Sequence, residues 1–179
     1  MFKVNDFKAK LVLVGKDGKD NKYSLYEYKP TIMHPLAIDF EPMRIVRRFR
    51  FWLELLKGGY RVYYLADGDT IVAHCVVTPG GRRLTVSTDD DIVLGPYYVD
   101  PRFRGRGYAK VLVTMTLKYC SYNYNYAFDW IHDTNVPSIK TSEACGFVRE
   151  GHRLNVVGLM RRLVLNDKGD NIVYKYTKS

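Results

Sequence analysis

The sequence predicts one α/β domain built on a mixed sheet with helices on its faces. Three observations predict it. The 179 residues are 46% hydrophobic and 14% aromatic, which is enough to bury the core of one domain and excludes a disordered chain. Short apolar runs separated by turn residues fill the first half, and a strand–helix–strand–helix–strand succession follows from residue 92, the pattern of a sheet with helical crossovers. No repeat and no linker divides the chain, so residues 1–179 are read as a single domain.

The elements follow in order. Residues 9–14 form an apolar run stopped at Gly15-Lys-Asp-Gly18, and residues 23–28 alternate weakly, so the two are expected to pair as a hairpin. Residues 30–42, bounded by prolines, read as a loop into a first helix at about 41–57, which Gly58-Gly59 stops. In that helix Ile45, Phe49, Trp52, Leu53 and Leu56 share one face and are expected to meet the core. Arg44, Arg47 and Arg48 lie roughly opposite, with Phe51 and Leu55 on their side, either covered by another element or lining a mixed aromatic and basic groove. Asp67-Gly68 between the apolar runs 60–65 and 70–78 is a hairpin signal. Pro79-Gly80-Gly81 and residues 87–91 punctuate the approach to a strand at 92–99, followed by a helix at 106–121 and a strand at 126–131. A short helix opens near Pro137, a residue favoured in a first turn, and stops at Gly146. Residues 147–154 and 171–176 read as final strands, and 156–165 is ambiguous between strand and helix.

Composition narrows the function classes. No stretch approaches the roughly 20 apolar residues of a membrane span, and the start lacks the apolar run of a signal peptide. Cys75, Cys120 and Cys145 are odd in number and widely spaced. They make neither a disulfide framework nor a metal site, and read as core residues in a reducing, cytoplasmic setting. The net charge of +9 favours anionic partners without choosing among nucleotide cofactors, nucleic acid and acidic surfaces.

The most informative segment is Val99-Asp-Pro-Arg-Phe-Arg-Gly-Arg-Gly-Tyr-Ala109, where an apolar strand turns into a helix through Arg104-Gly105-Arg106-Gly107. A strand-to-helix turn points several backbone N–H groups one way, and the helix dipole and arginines add positive potential, so a phosphate or pyrophosphate is expected there. Neither a Walker A loop nor a dinucleotide fingerprint is present.

Val99-x-Pro101-x-x-Arg104-Gly105-x-Gly107-x-Ala109 resembles the acyl-CoA signature of the GNAT N-acetyltransferase superfamily, and Asn135-x-x-Ser138 with Ala144-Cys145-Gly146-Phe147 resembles its second signature. The resemblance is motif-level over residues 60–147 and topological outside them. It implies an α/β (α+β) fold with a mixed, mostly antiparallel sheet and helices on both faces, in which strand 92–99 splays from strand 126–131 to open a cleft for acetyl-CoA. Backbone groups of Tyr97, Tyr98 and Val99 would then bond the pantetheine arm. Amides of Arg104, Gly105, Arg106, Gly107, Tyr108 and Ala109 would hold the pyrophosphate, with glycine allowing close approach. Asn135 would bond the cofactor arm and Ser138 would lie toward the pyrophosphate or adenosine. Arg102, Arg106 and Lys110 are candidates for the outer phosphates.

The reaction implied is direct attack of a neutral amine on the acetyl thioester, which needs a base for the amine, an oxyanion donor and a proton for the thiolate. An amide near Tyr98 or Val99 is the expected oxyanion donor. Asp129, His132 and His74 are the candidate bases. The position that carries a tyrosine proton donor in many members is Ser142, whose hydroxyl is shorter and a far weaker acid. The expected function is therefore acetyl transfer to a small amine, an anionic one suiting the charge best, by a monomer or homodimer that needs no metal and no membrane. The alternatives are a catalytically silent acyl-CoA binder and, less favoured, a basic nucleic-acid-binding module using the arginines of residues 44–50 and the tyrosines of 122–126.

Overall fold

Tyrosines organise much of the first half of the chain, and the strands that carry them fix its order. The computed structural model describes residues 1–40, 45–56, 58–81, 84, 86–157 and 162–178. In them β1 (Val12–Asp17), β2 (Tyr23–Tyr28), α1 (Ile45–Leu56), β3 (Arg61–Asp67), β4 (Thr70–Pro79) and β5 (Ile92–Val99) are followed by α2 (Tyr108–Tyr119), β6 (Tyr126–His132), α3 (Val136–Ala144), β7 (Val148–Val157), β8 (Arg162–Leu165) and β9 (Asn171–Thr177). They form two compact units, residues 1–77 with 96–120 and residues 78–95 with 121–179.

In the first unit β1, β2, β3 and β4 pair in that order, all antiparallel. The predicted β3–β4 hairpin stands, with Asp67 opposite Thr70. β1 starts later than the apolar run suggests and continues through Gly15, where the register shifts. Gly15 is no stop signal: a Cβ there would lie 2.4 Å from the Tyr119 ring, so glycine lets the end of α2 lie directly on the strand. Tyr119 also donates its hydroxyl to the Lys16 carbonyl at 2.9 Å.

The loop before α1 is held by side chains. Tyr28 donates to the carbonyl of His34 at 2.6 Å, Tyr60 to Pro35 at 2.8 Å and Tyr64 to Ile38 at 3.0 Å. Buried carbonyls need such donors where no ladder supplies them. Burial pushes the Tyr60 and Tyr64 hydroxyls far above their usual range, so they stay protonated donors.

α1 corrects the predicted core face. Phe51 is buried, its ring 5.3 Å from that of Tyr60, and Leu55 packs on the same cluster. Phe49, Trp52 and Leu56 are exposed instead. Trp52 Nε1 reaches the Ile32 carbonyl at 2.8 Å. The helix has two apolar stripes, and the loop of residues 31–40 together with Tyr60 selects the one carrying Phe51. Glu41 to Arg44, Lys57 and the side chains of Ile45, Arg47 and Arg48 lie outside the described residues, so the arginine face and the helix start are not placed.

In the second unit β5 runs parallel to β6, β6 and β7 flank β9 antiparallel, and β8 closes on β7. The ambiguous 156–165 segment resolves into the end of β7 and β8, with 158–161 outside the described residues. Val93, Phe128, Leu154, Leu163 and Val173 form the core. β5 keeps only two register pairs with β6, Ile92 with Ala127 and Val93 with Phe128. Gly95 follows at φ +105° and then Pro96, which has no N–H to give.

Candidate active site

In the first unit the end of β5 is tied down before the glycine turn begins. The Asp100 N–H donates to the Val72 carbonyl at 2.9 Å, and its buried carboxylate accepts the Arg102 N–H and Nε, each at 3.0 Å. The Arg102 guanidinium holds the Asp100 carboxyl below its usual range. Arg102 is thus committed to Asp100, which weakens its candidacy for an outer phosphate. Asp before Pro favours turn initiation, and that dipeptide is the local signal from which this cap can be read. A short 3-10 helix at Pro101–Phe103 leads into Arg104.

Gly105 and Gly107 both take left-handed backbone, φ +76° and +78°, and a Cβ on either would meet nothing within 4 Å. Gly107 opens α2 with no side-chain cap, and Val111 donates back to its carbonyl at 3.3 Å. The amides of Tyr108, Ala109 and Lys110 precede that bond, as in any helix start. The result is an uncapped helix N-terminus beside open space, with Arg104 and Arg106 exposed around it. Its first turn is anchored from below: buried Tyr108 bonds the Asp67 carboxylate in the β3–β4 turn and meets Tyr23 and Phe103 edge-on. Asp67 was not legible as a support, because nothing local connects a hairpin turn to a helix 41 residues on.

Tyr97, Tyr98 and Val99 are half-buried at the end of β5. Arg104 lies over the Tyr98 ring at 5.1 Å and donates Nε to the Val99 carbonyl at 3.2 Å. Beneath Tyr98 lie His74, buried, and Phe40, their rings stacked with it at 6.0 Å each. His74 is therefore an aromatic layer of the core face rather than an open strand residue.

In the second unit Asn135 caps α3, accepting the Ser138 N–H on Oδ1 at 3.3 Å, and Pro137 sits in the first turn. Gly146, at φ +89°, ends the helix, and Phe147 is buried against Tyr176. Asp129 on β6 and Ser142 on α3, both buried, are joined by a hydrogen bond in which the Ser142 hydroxyl donates to Asp129 Oδ2 at 2.7 Å. Burial raises the Asp129 carboxyl to about 6, and the Ser142 bond opposes that rise. His132 is not part of this pair. Three residues from Asp129 on one strand, it points to the opposite face, exposed, with Nδ1 2.9 Å from Thr134 Oγ1. Among the described residues no cluster of three His, Cys, Asp or Glu side chains could hold a metal, and no helix is long and apolar enough to cross a membrane.

A glycine-opened, uncapped helix N-terminus offers backbone donors and positive potential to an anion such as a phosphate. Residues 25–147 match the model of the acetyltransferase (GNAT) family, and the chain belongs to that family. It is an acetyltransferase whose acetyl donor is acetyl-CoA. Solved structures share the fold at low identity. The ribosomal-protein-S5-alanine acetyltransferase of Vibrio fischeri is 17% identical, over 93% of this chain and 96% of that one, at a TM-score of 0.58. The yncA protein of Salmonella typhimurium, solved with its cofactor acetyl-CoA, is 16% identical over 86% and 93%, at 0.54. An N-acetyltransferase of Staphylococcus aureus is 17% identical over 78% and 80%, at 0.52. No curated protein matches the chain.

Proposed function

We propose that residues 1–179 act as one acyl-CoA-binding domain that acetylates the amine of a small, anionic acceptor. The observation that carries the cofactor half is the uncapped start of α2, with Gly105 and Gly107 in left-handed backbone beside open space. The amides of Arg104, Gly105, Arg106, Gly107, Tyr108 and Ala109 bind the pyrophosphate, because a helix N-terminus offers both donors and positive potential to an anion. Backbone groups of Tyr97, Tyr98 and Val99 orient the pantetheine arm. The Val99 carbonyl is held by Arg104 Nε. Asn135 spends Oδ1 on the helix cap and keeps its amide NH₂ for the cofactor arm, with Ser138 beside it. Bound acetyl-CoA supplies an activated acetyl thioester. Of the candidate bases, Asp129 is supported by its buried, raised carboxyl, whereas His132 is solvated. The anionic acceptor rests on the +9 charge and on exposed Arg104 and Arg106.

Calorimetric titration with acetyl-CoA tests the reading. We expect micromolar-range binding, abolished by Gly107→Glu, which adds a carboxylate where anion and backbone meet and strains a left-handed position. Undiminished binding in that variant would refute the loop assignment. Thiol release against a panel of anionic, neutral and cationic amines then identifies the acceptor class, and turnover confined to cationic amines would refute the anionic one.

A further inference from the structure

We infer that Asp129 carries the proton of the acetyl transfer and that Ser142 is a positioning residue that holds it, an inference that rests on the reading of this chain as acting on an amine. Asp129 is the first β6 residue beyond the last register pair with β5, Val93 with Phe128. Its carboxyl therefore stands where the second unit's two parallel strands part. One oxygen, Oδ2, is taken by Ser142 at 2.7 Å. The other faces Gly95, where even a Cβ would stop 3.7 Å from Oδ1, so β5 presents only backbone to it. Ser142 itself is fully buried, and its hydroxyl proton is committed to Asp129 Oδ2. It acts through Asp129.

The surroundings leave Asp129 as the group that titrates. Across the sheet it pairs with Tyr174 on β9, whose hydroxyl is raised by burial and leans on Glu143 of α3 at 3.4 Å, with Arg149 of β7 also acting on it. β5 contributes no charged side chain there. In the reaction a nitrogen–carbon bond forms, the carbon–sulfur bond breaks, one proton leaves the amine nitrogen and one arrives on sulfur. The Asp129 carboxylate takes the first and its acid form supplies the second, so the balance needs no further reactant. A carboxyl titrating near 6 is ionised at neutral pH and, once protonated, is a far better acid than a phenol. Ser142 stays unchanged throughout, its hydrogen bond favouring the charged carboxylate.

The test begins with the free protein. Carboxyl ¹³C NMR, with the resonance assigned by its loss in Asp129→Asn, should show a midpoint near 6. Ser142→Ala should move that midpoint upward and Ser142→Thr should restore it. The acid limb of kcat/KM should shift by the same amount. Asp129→Asn should lower kcat by roughly 10²–10⁴-fold while acetyl-CoA affinity stays within about twofold of wild type. A midpoint near 4, a midpoint unmoved by Ser142→Ala, or full activity in Asp129→Asn overturns the inference. If Asp129→Asn does not fold, the acid limb of kcat/KM in Ser142→Ala and Ser142→Thr decides it: a limb unmoved by Ser142→Ala overturns the inference. Failure of wild type to bind acetyl-CoA would instead strike the cofactor reading and leave the titration result standing.

Discussion

A single buried carboxyl sets a pH dependence opposite to that of most acidic side chains. Asp129 titrates near 6 in the folded chain and near 4 when unfolded. Below 4 both states are protonated and Asp129 costs nothing. As pH rises through the window from 4 to 6, the unfolded chain ionises first, and above 6 the folded state bears a full penalty of about 3 kcal/mol. Asp129→Asn should therefore raise the melting temperature at pH 7 and leave it nearly unchanged at pH 4, which calorimetric melts at the two values will check. A residue kept at that cost fits a functional carboxyl better than a structural one. The sequence made Asp129 and Ser142 separate candidates and did not join them, because their bond depends on how α3 packs on β6. Gly105 and Gly107 were legible, because left-handed backbone at a tight turn asks for glycine wherever it falls.

Elements were legible where one pattern dominates and misread where two compete. The β3–β4 hairpin, β6 and both caps of α3 follow from turn, alternation and capping residues. α1 does not: its apolar residues lie on two sides, and helical periodicity favours the stripe through Phe49, Trp52 and Leu56. The tyrosine-bound loop at residues 34–38 supplies a surface only for Phe51 and Leu55. Phe51→Ala should therefore cost about 3–5 kcal/mol of stability, while Phe49→Ala should stay within about 0.5 kcal/mol. Urea denaturation of the two variants tests this, and equal losses would mean that the exposed stripe is covered after all. The same competition explains β1, where Gly15 reads as a stop yet serves as the flat surface for Tyr119.

At the scale of the whole molecule, charge and chain path matter more than any contact. An excess of nine positive charges should draw polyanionic acetyl-CoA by long-range attraction, which salt screens. Raising ionic strength from 50 to 500 mM should weaken acetyl-CoA binding by about 3–10-fold. Titrations across that range will test it, and salt-independent affinity would confine recognition to the α2 backbone. The path of the chain is the least legible feature. Each compact unit is assembled from two separate stretches, and local sequence patterns register neither the return of residues 96–120 to the first unit nor the break between Val77 and Thr78. Neither unit is therefore a continuous piece that could be cut out and expected to fold.

The chain's two tryptophans fall one to each unit: Trp52 is exposed and bonded to Ile32 in the first, and Trp130 packs against the Leu84–Phe128–Val173 core in the second. The molecule thus carries its own pair of optical probes, one exposed and one partly buried. Replacing either by phenylalanine leaves a single tryptophan, whose emission can be excited apart from that of the tyrosines, so the loosening of each half can be followed separately in solution without a label.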